Sequence, residues 1–147
     1  MKVYFFILIC LLFSCKSYDN YSQQSLCGNN FEIQYNKSSK YVLPKKGKSK
    51  NYFIVYLENN FNDRIHITIN QKEIFNKLVI TNDKKPDEYS DMLIYRMDKN
   101  NKYTMNIQGE NTKTCVELTL DNKYRAIYLF YYQNKWIIRF SNQMRIN

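Results

Sequence analysis

The chain has 147 residues, a formal net charge of +9, and 44% hydrophobic, 16% aromatic and 24% charged residues. That length corresponds to one ordinary domain whose core is large enough to fold alone, and argues against a multidomain protein. The basic balance narrows the partners to nucleic acid, anionic lipid or an acidic protein, although a chain this rich in Lys, Asn, Ile, Tyr and Phe also carries the codon bias of an AT-rich genome.

At the start, Lys2 precedes an unbroken apolar run from Val3 to Phe13 that closes on Ser14-Cys15. A charged start, a short apolar stretch and a small residue at the cut are the parts of a secretory signal. The run is too short for a transmembrane helix, which needs roughly twenty apolar residues. Nothing after Cys15 approaches that length either. Export in turn makes nucleic acid the least fitting of the three partner classes.

The ending Leu12-Phe13-Ser14-Cys15 resembles the lipobox of bacterial lipoproteins. The resemblance implies that residues 1–14 are a cleaved signal peptide and that Cys15 becomes a diacylated first residue. Two chains suffice for stable anchoring where one is marginal. Lys16 replaces the aspartate that retains such proteins in the inner membrane, so the resemblance points to the outer membrane, on its periplasmic or surface face. The alternative is an ordinary signal cut further on, which gives a soluble secreted protein.

Residues 15–29 are polar and aperiodic, and read as a flexible tether ahead of a domain over 30–147. With Cys10 in the leader and Cys15 assigned to lipid, Cys27 and Cys115 are the one pair left. In an oxidising compartment they are expected to form a disulfide that pins the tail to the domain. Lysines crowd 36–50 around Pro44 and Gly47, the composition of a solvated loop.

From Asn51 onward, short β-branched and aromatic runs alternate with polar turns at intervals of about ten residues, as in a sandwich or barrel. Strands are expected at 31–35, 52–58, 64–70, 73–80, 91–97, 102–108, 113–120, 124–132 and 135–141. Ile65, Ile67 and Ile69 share one face, as do Val116, Leu118 and Leu120, each opposite a more polar set. Asparagine-rich pairs such as Asn59-Asn60 and Gln133-Asn134 supply the turns. The expected fold is all-β: a single antiparallel β-sandwich, immunoglobulin-like or transthyretin-like in general shape, after a cleaved signal peptide.

Strand 124–132 is apolar on both faces, which marks a central strand covered from both sides. A competing reading makes Tyr128, Phe130 and Tyr132 an exposed aromatic strip, joined by Trp136 and rimmed by Arg125 and Arg139. These six residues are the candidate binding site. His66 is the sole histidine, and no HExxH, CxxC pair, GxSxG, phosphate loop or calcium loop occurs. No catalytic residue, metal site or cofactor is therefore expected, and the chain reads as non-enzymatic.

The function these features favour is a lipid-anchored envelope protein that binds another envelope protein, as an inhibitor or immunity factor. The alternative is cell-surface binding of anionic glycan or lipopolysaccharide, with aromatic rings stacking on sugars and lysines pairing with acid groups.

Overall fold

The computed structural model describes residues 30–36, 52–85, 87–98 and 102–144. The leader, the tether with Cys15 and Cys27, and most of the lysine-rich loop lie outside them. Among the described residues nine strands run in chain order: β1 (Asn30–Tyr35), β2 (Tyr52–Leu57), β3 (Asn62–Ile69), β4 (Lys72–Ile80), β5 (Asp91–Arg96), β6 (Tyr103–Gly109), β7 (Thr114–Leu120), β8 (Ala126–Tyr132) and β9 (Lys135–Ser141). Each falls on one of the expected β-branched and aromatic runs, and the fold is the expected all-β sandwich.

Its sheets are four-stranded, in the order β4-β3-β6-β7, and five-stranded, in the order β1-β9-β8-β2-β5. Alternation decides what they bury. Ile65, Ile67 and Ile69 of β3, Met105 and Ile107 of β6, and Val116, Leu118 and Leu120 of β7 turn inward from the smaller sheet. They meet Phe53, Val55, Leu57, Ile127, Leu129, Trp136, Ile138 and Phe140 from the larger one in a single core. Each such side chain contributes roughly 1.5–3 kcal/mol of transfer free energy against the entropy of ordering it.

The turns follow from backbone chemistry. Asn70 and Gln71 between β3 and β4, and Gln133 and Asn134 between β8 and β9, all have positive φ. Two consecutive positive φ values match the right-handed twist of a tight hairpin, and asparagine tolerates them in a chain with few glycines. Between β4 and β5 the chain changes sheets, and side chains stitch that crossing. Thr81 Oγ1 accepts from Phe61 N at 2.8 Å and shares a hydrogen bond with Ser90 Oγ at 2.7 Å. Ser90 Oγ in turn donates to Glu58 O at 2.7 Å.

Two pairings, β1 with β9 and β2 with β8, are parallel, while the rest are antiparallel. The face pattern of a strand is the same in either direction, so pairing direction is not written in it. As its two-sided apolar character requires, β8 is central, between β9 and β2. Its inner face meets the other sheet, and its outer face carries the candidate site.

Candidate functional site

Register across the larger sheet places Gln34, Arg139, Tyr128, Tyr56 and Met92 in one outward-facing row that crosses all five strands. A second row holds Glu32, Ile137 and Phe130, and a third Ala126, Ile54 and Ile94. Together they form a largely apolar and aromatic surface. Ile94 is 56% exposed, Met92 38% and Tyr132 53%, whereas Tyr128 and Phe130 are half-buried and Tyr56 and Ala126 are buried beneath their neighbours.

The aromatic rings hold one another in place. Tyr56 and Tyr128 stack with centroids 4.8 Å apart at 12°, and Tyr89 tilts against Tyr56 at 5.4 Å. Tyr128 donates its hydroxyl proton to Gln143 O at 2.7 Å, which fixes the outer end of that ring. Burying aromatic edges against each other leaves little rotamer freedom to lose when a partner docks.

Charge on this face stands at its β9 and β1 side and, at the far edge, at exposed Arg96 of β5. Lys135 Nζ donates to Glu32 Oε2 at 2.7 Å. That hydrogen bond, then one from Gln34 and the charge of Lys135, hold the Glu32 carboxyl below its usual range. This pair is neutral as a unit. Arg139 instead donates Nε to the uncharged Gln34 Oε1 at 2.9 Å and lies 5.3 Å over the Phe130 ring. Its positive charge is thus oriented but not cancelled.

Of the six candidate residues, Tyr128, Phe130, Tyr132 and Arg139 share this face. Arg125 precedes β8, half-buried, with its backbone N bonded to Ser141 O at 3.1 Å. Trp136 requires a correction, because it is 1% exposed and belongs to the core. It pairs with Tyr131, not with the outward Tyr132, so alternation turns it inward. There it packs 5.3 Å from Tyr131 and 5.9 Å from Phe61. Tyr56, Met92, Ile94 and Ile137 were not among the candidates, although β2 and β5 carry a signal. Like β8, β2 reads apolar on both faces in YFIVYL, and β5 exposes alternate apolar positions in DMLIYR.

Elsewhere, His66 stands between Glu73 at 3.4 Å and Glu110 at 3.5 Å on the outer face of the smaller sheet. Among the described residues no group of three or more His, Cys, Asp or Glu is placed to hold a metal. Buried Asp63 accepts from Asn111 N at 2.6 Å, Thr112 Oγ1 at 2.7 Å and Thr112 N at 3.1 Å. With three donors on one carboxylate, it anchors a turn and is poorly placed to shuttle protons. Cys115 is 3% exposed and is not free, while Cys15 and Cys27 lie outside the described residues.

Comparison with protein-family models, curated proteins and solved structures finds no match. Among the described residues no helix is long and apolar enough to cross a membrane.

Proposed function

We propose that the protein is a lipid-anchored cell-envelope binding protein, non-enzymatic, acylated at Cys15 and carried on a tether that a Cys27–Cys115 disulfide ties to the sandwich. It binds another envelope protein through the outer face of β9, β8, β2 and β5, in the manner of an inhibitor or immunity factor. The observation that carries this reading is the row from Arg139 through Tyr128 and Tyr56 to Met92, in which buried Tyr56 backs the half-buried Tyr128 ring, with the cations Arg139 and Arg96 at opposite sides of the face. Apolar patches of this kind mark interaction sites, and aromatic residues with arginine supply most interface energy.

Glycan binding is the weaker alternative. Trp136, the one indole available to stack on a sugar, is enclosed in the core, and Tyr128 already stacks on Tyr56.

The test is cross-linking of the tagged full chain in its own envelope, with Phe130→Ser and Arg139→Ala alongside. The reading expects one stoichiometric protein that persists in moderate salt and is lost with either substitution. Equal recovery with the substituted proteins, or binding only to polysaccharide, rejects it. Palmitate labelling that survives Cys15→Ser rejects the anchoring half.

A further inference from the structure

Among the described residues β5 is an edge strand, with no strand paired to its outer side. Ile54 N and Glu58 N donate to Arg125 O and Leu129 O on the β8 side at 2.9 and 2.8 Å, so the alternate residues Phe53, Val55 and Leu57 face β5. Their register partners are Tyr95, Leu93 and Asp91. In an antiparallel ladder the intervening residues then turn their backbone groups away. Those are Met92, Ile94 and Arg96. Met92 N confirms the direction, because it bonds the Asp91 side chain at 2.7 Å and not β2.

Natural sheets guard such edges with charge, bulges or covering segments. β4 is guarded in this way, with a register shift opposite Ile67/Thr68 and exposed Lys72, Glu73 and Lys77. β5 has no bulge or proline, and its outward-facing Met92 and Ile94 are exposed. Asp91 adds little negative charge, since it is engaged by Met92 N and by Lys77 Nζ at 3.3 Å. Arg96 makes no ion pair among the described residues.

We propose that β5 takes up an extended acidic segment of the protein partner as an added antiparallel strand, continuing the five-stranded sheet. The inference rests on the outer face being a protein-binding surface and names the element it receives. The added strand bonds Ile94 N–H and C=O and Arg96 N–H. Read from its N-terminus it meets Arg96, Ile94 and Met92 in turn, so its pattern is acid-x-apolar-x-apolar. Charge favours such a partner over a second copy of this chain, which would bring its own strongly positive net charge to the same edge.

The test selects random dodecapeptides displayed on phage against the detergent-solubilised full chain, then titrates the enriched peptides as synthetic probes. The expected winners carry the acid-x-apolar-x-apolar pattern and slow the exchange of the Ile94 amide by tenfold or more. They bind at least tenfold more weakly to Ile94→Pro, which removes an N–H that bonds nothing among the described residues, a change that edge strands tolerate. Ile94→Lys, which keeps the N–H and adds a guarding charge, is the second variant and loses binding similarly. The proposal is overturned if no peptide is enriched, if peptides bind both variants as well as the parent chain, or if β5 mediates a dimer that Ile94→Pro dissolves. Loss of the envelope partner with Phe130→Ser but not with either Ile94 variant rejects the added strand and leaves the face reading standing.

Discussion

Arg139 on β9 reaches diagonally across to β8, its guanidinium carbon 5.3 Å from the centre of the Phe130 ring, although its register partner is Tyr128. Diagonal contacts of this length are open to long side chains on one sheet face. The bond from its Nε to Gln34 on β1 holds the other side, so the cation is positioned from two strands.

Because the pair is exposed, Arg139→Ala should change folding stability by less than about 1 kcal/mol. Its effect should fall on binding. Arg139→Lys keeps the charge but not the planar group that lies over Phe130. Both variants should weaken capture of the envelope partner by tenfold or more while the urea midpoint stays close to that of the parent chain. A large fall in the midpoint with unchanged capture would make Arg139 structural.

Trp136 is the only tryptophan, and it is 1% exposed with no hydrogen-bond partner for its Nε1. The native chain should therefore emit at short wavelength and resist quenching by acrylamide, and unfolding should reverse both. Trp136→Ala should cost about 3–5 kcal/mol by opening a cavity between Phe61 and Tyr131. A red-shifted, readily quenched native spectrum would return the indole to the surface.

The contrast between Trp136 and Tyr132 shows how far the sequence can be read. Runs of β-branched and aromatic residues between polar turns placed the strands, with period two plain in β3 and β7 and missing from the two-sided apolar β2 and β8. The inward face of β9 was legible too, since Trp136, Ile138 and Phe140 alternate with Lys135, Ile137, Arg139 and Ser141, and period two alone sets the indole opposite Arg139; the register with β8 agrees. The outer face was harder to read, because it is assembled from several strands. Tyr128 and Phe130 stood out within their own strand, whereas Tyr56 and Met92 join the site only through the β8–β2 and β2–β5 pairings. The parallel direction of β2 beside β8 is likewise a product of chain routing between sheets, beyond what a local pattern holds.

The proposed Cys27–Cys115 bridge can be checked by mass. The intact unreduced chain should be lighter than the reduced one by a pair of hydrogens, with a single cross-linked peptide joining the two positions. Reduction should lower stability by about 2–4 kcal/mol, chiefly by freeing the unfolded chain. A thiol that alkylates at Cys115 in the folded, unreduced protein would refute the pairing.

Asp63 links stability to pH. Burial raises its pKa, but hydrogen bonds from the Thr112 side chain and from the backbone of Asn111, Thr112 and Arg64 outweigh that, leaving the carboxyl below its usual value. A folded pKa below the unfolded one means that the native state binds fewer protons, so stability rises with pH. The contribution is complete above the unfolded value near about 3.9 and disappears as pH falls through the folded value beneath it. Asp63→Asn should flatten urea midpoints across that acidic range and lower them at neutral pH. An unchanged acid limb in the variant would place the sensitivity elsewhere.

Gly109 meets the same carboxylate from the end of β6. A Cβ built there would lie within 3.0 Å of Thr112 Oγ1, Asp63 Oδ2 and Thr114 Oγ1. These atoms are fixed by one another, since Thr112 Oγ1 bonds Asp63 Oδ2 at 2.7 Å and Thr114 Oγ1 at 2.8 Å. None can yield without breaking a hydrogen bond in a part-buried network. Gly109→Ala should therefore destabilise by about 1–3 kcal/mol, as overpacking does, even though alanine ordinarily suits a strand better than glycine. The strain should be relieved where its cause is removed. In Asp63→Ser/Gly109→Ala the second substitution should cost clearly less than it does alone, read as a coupling of the two urea-derived changes. Strict additivity would mean that the methyl group is accommodated without touching Asp63.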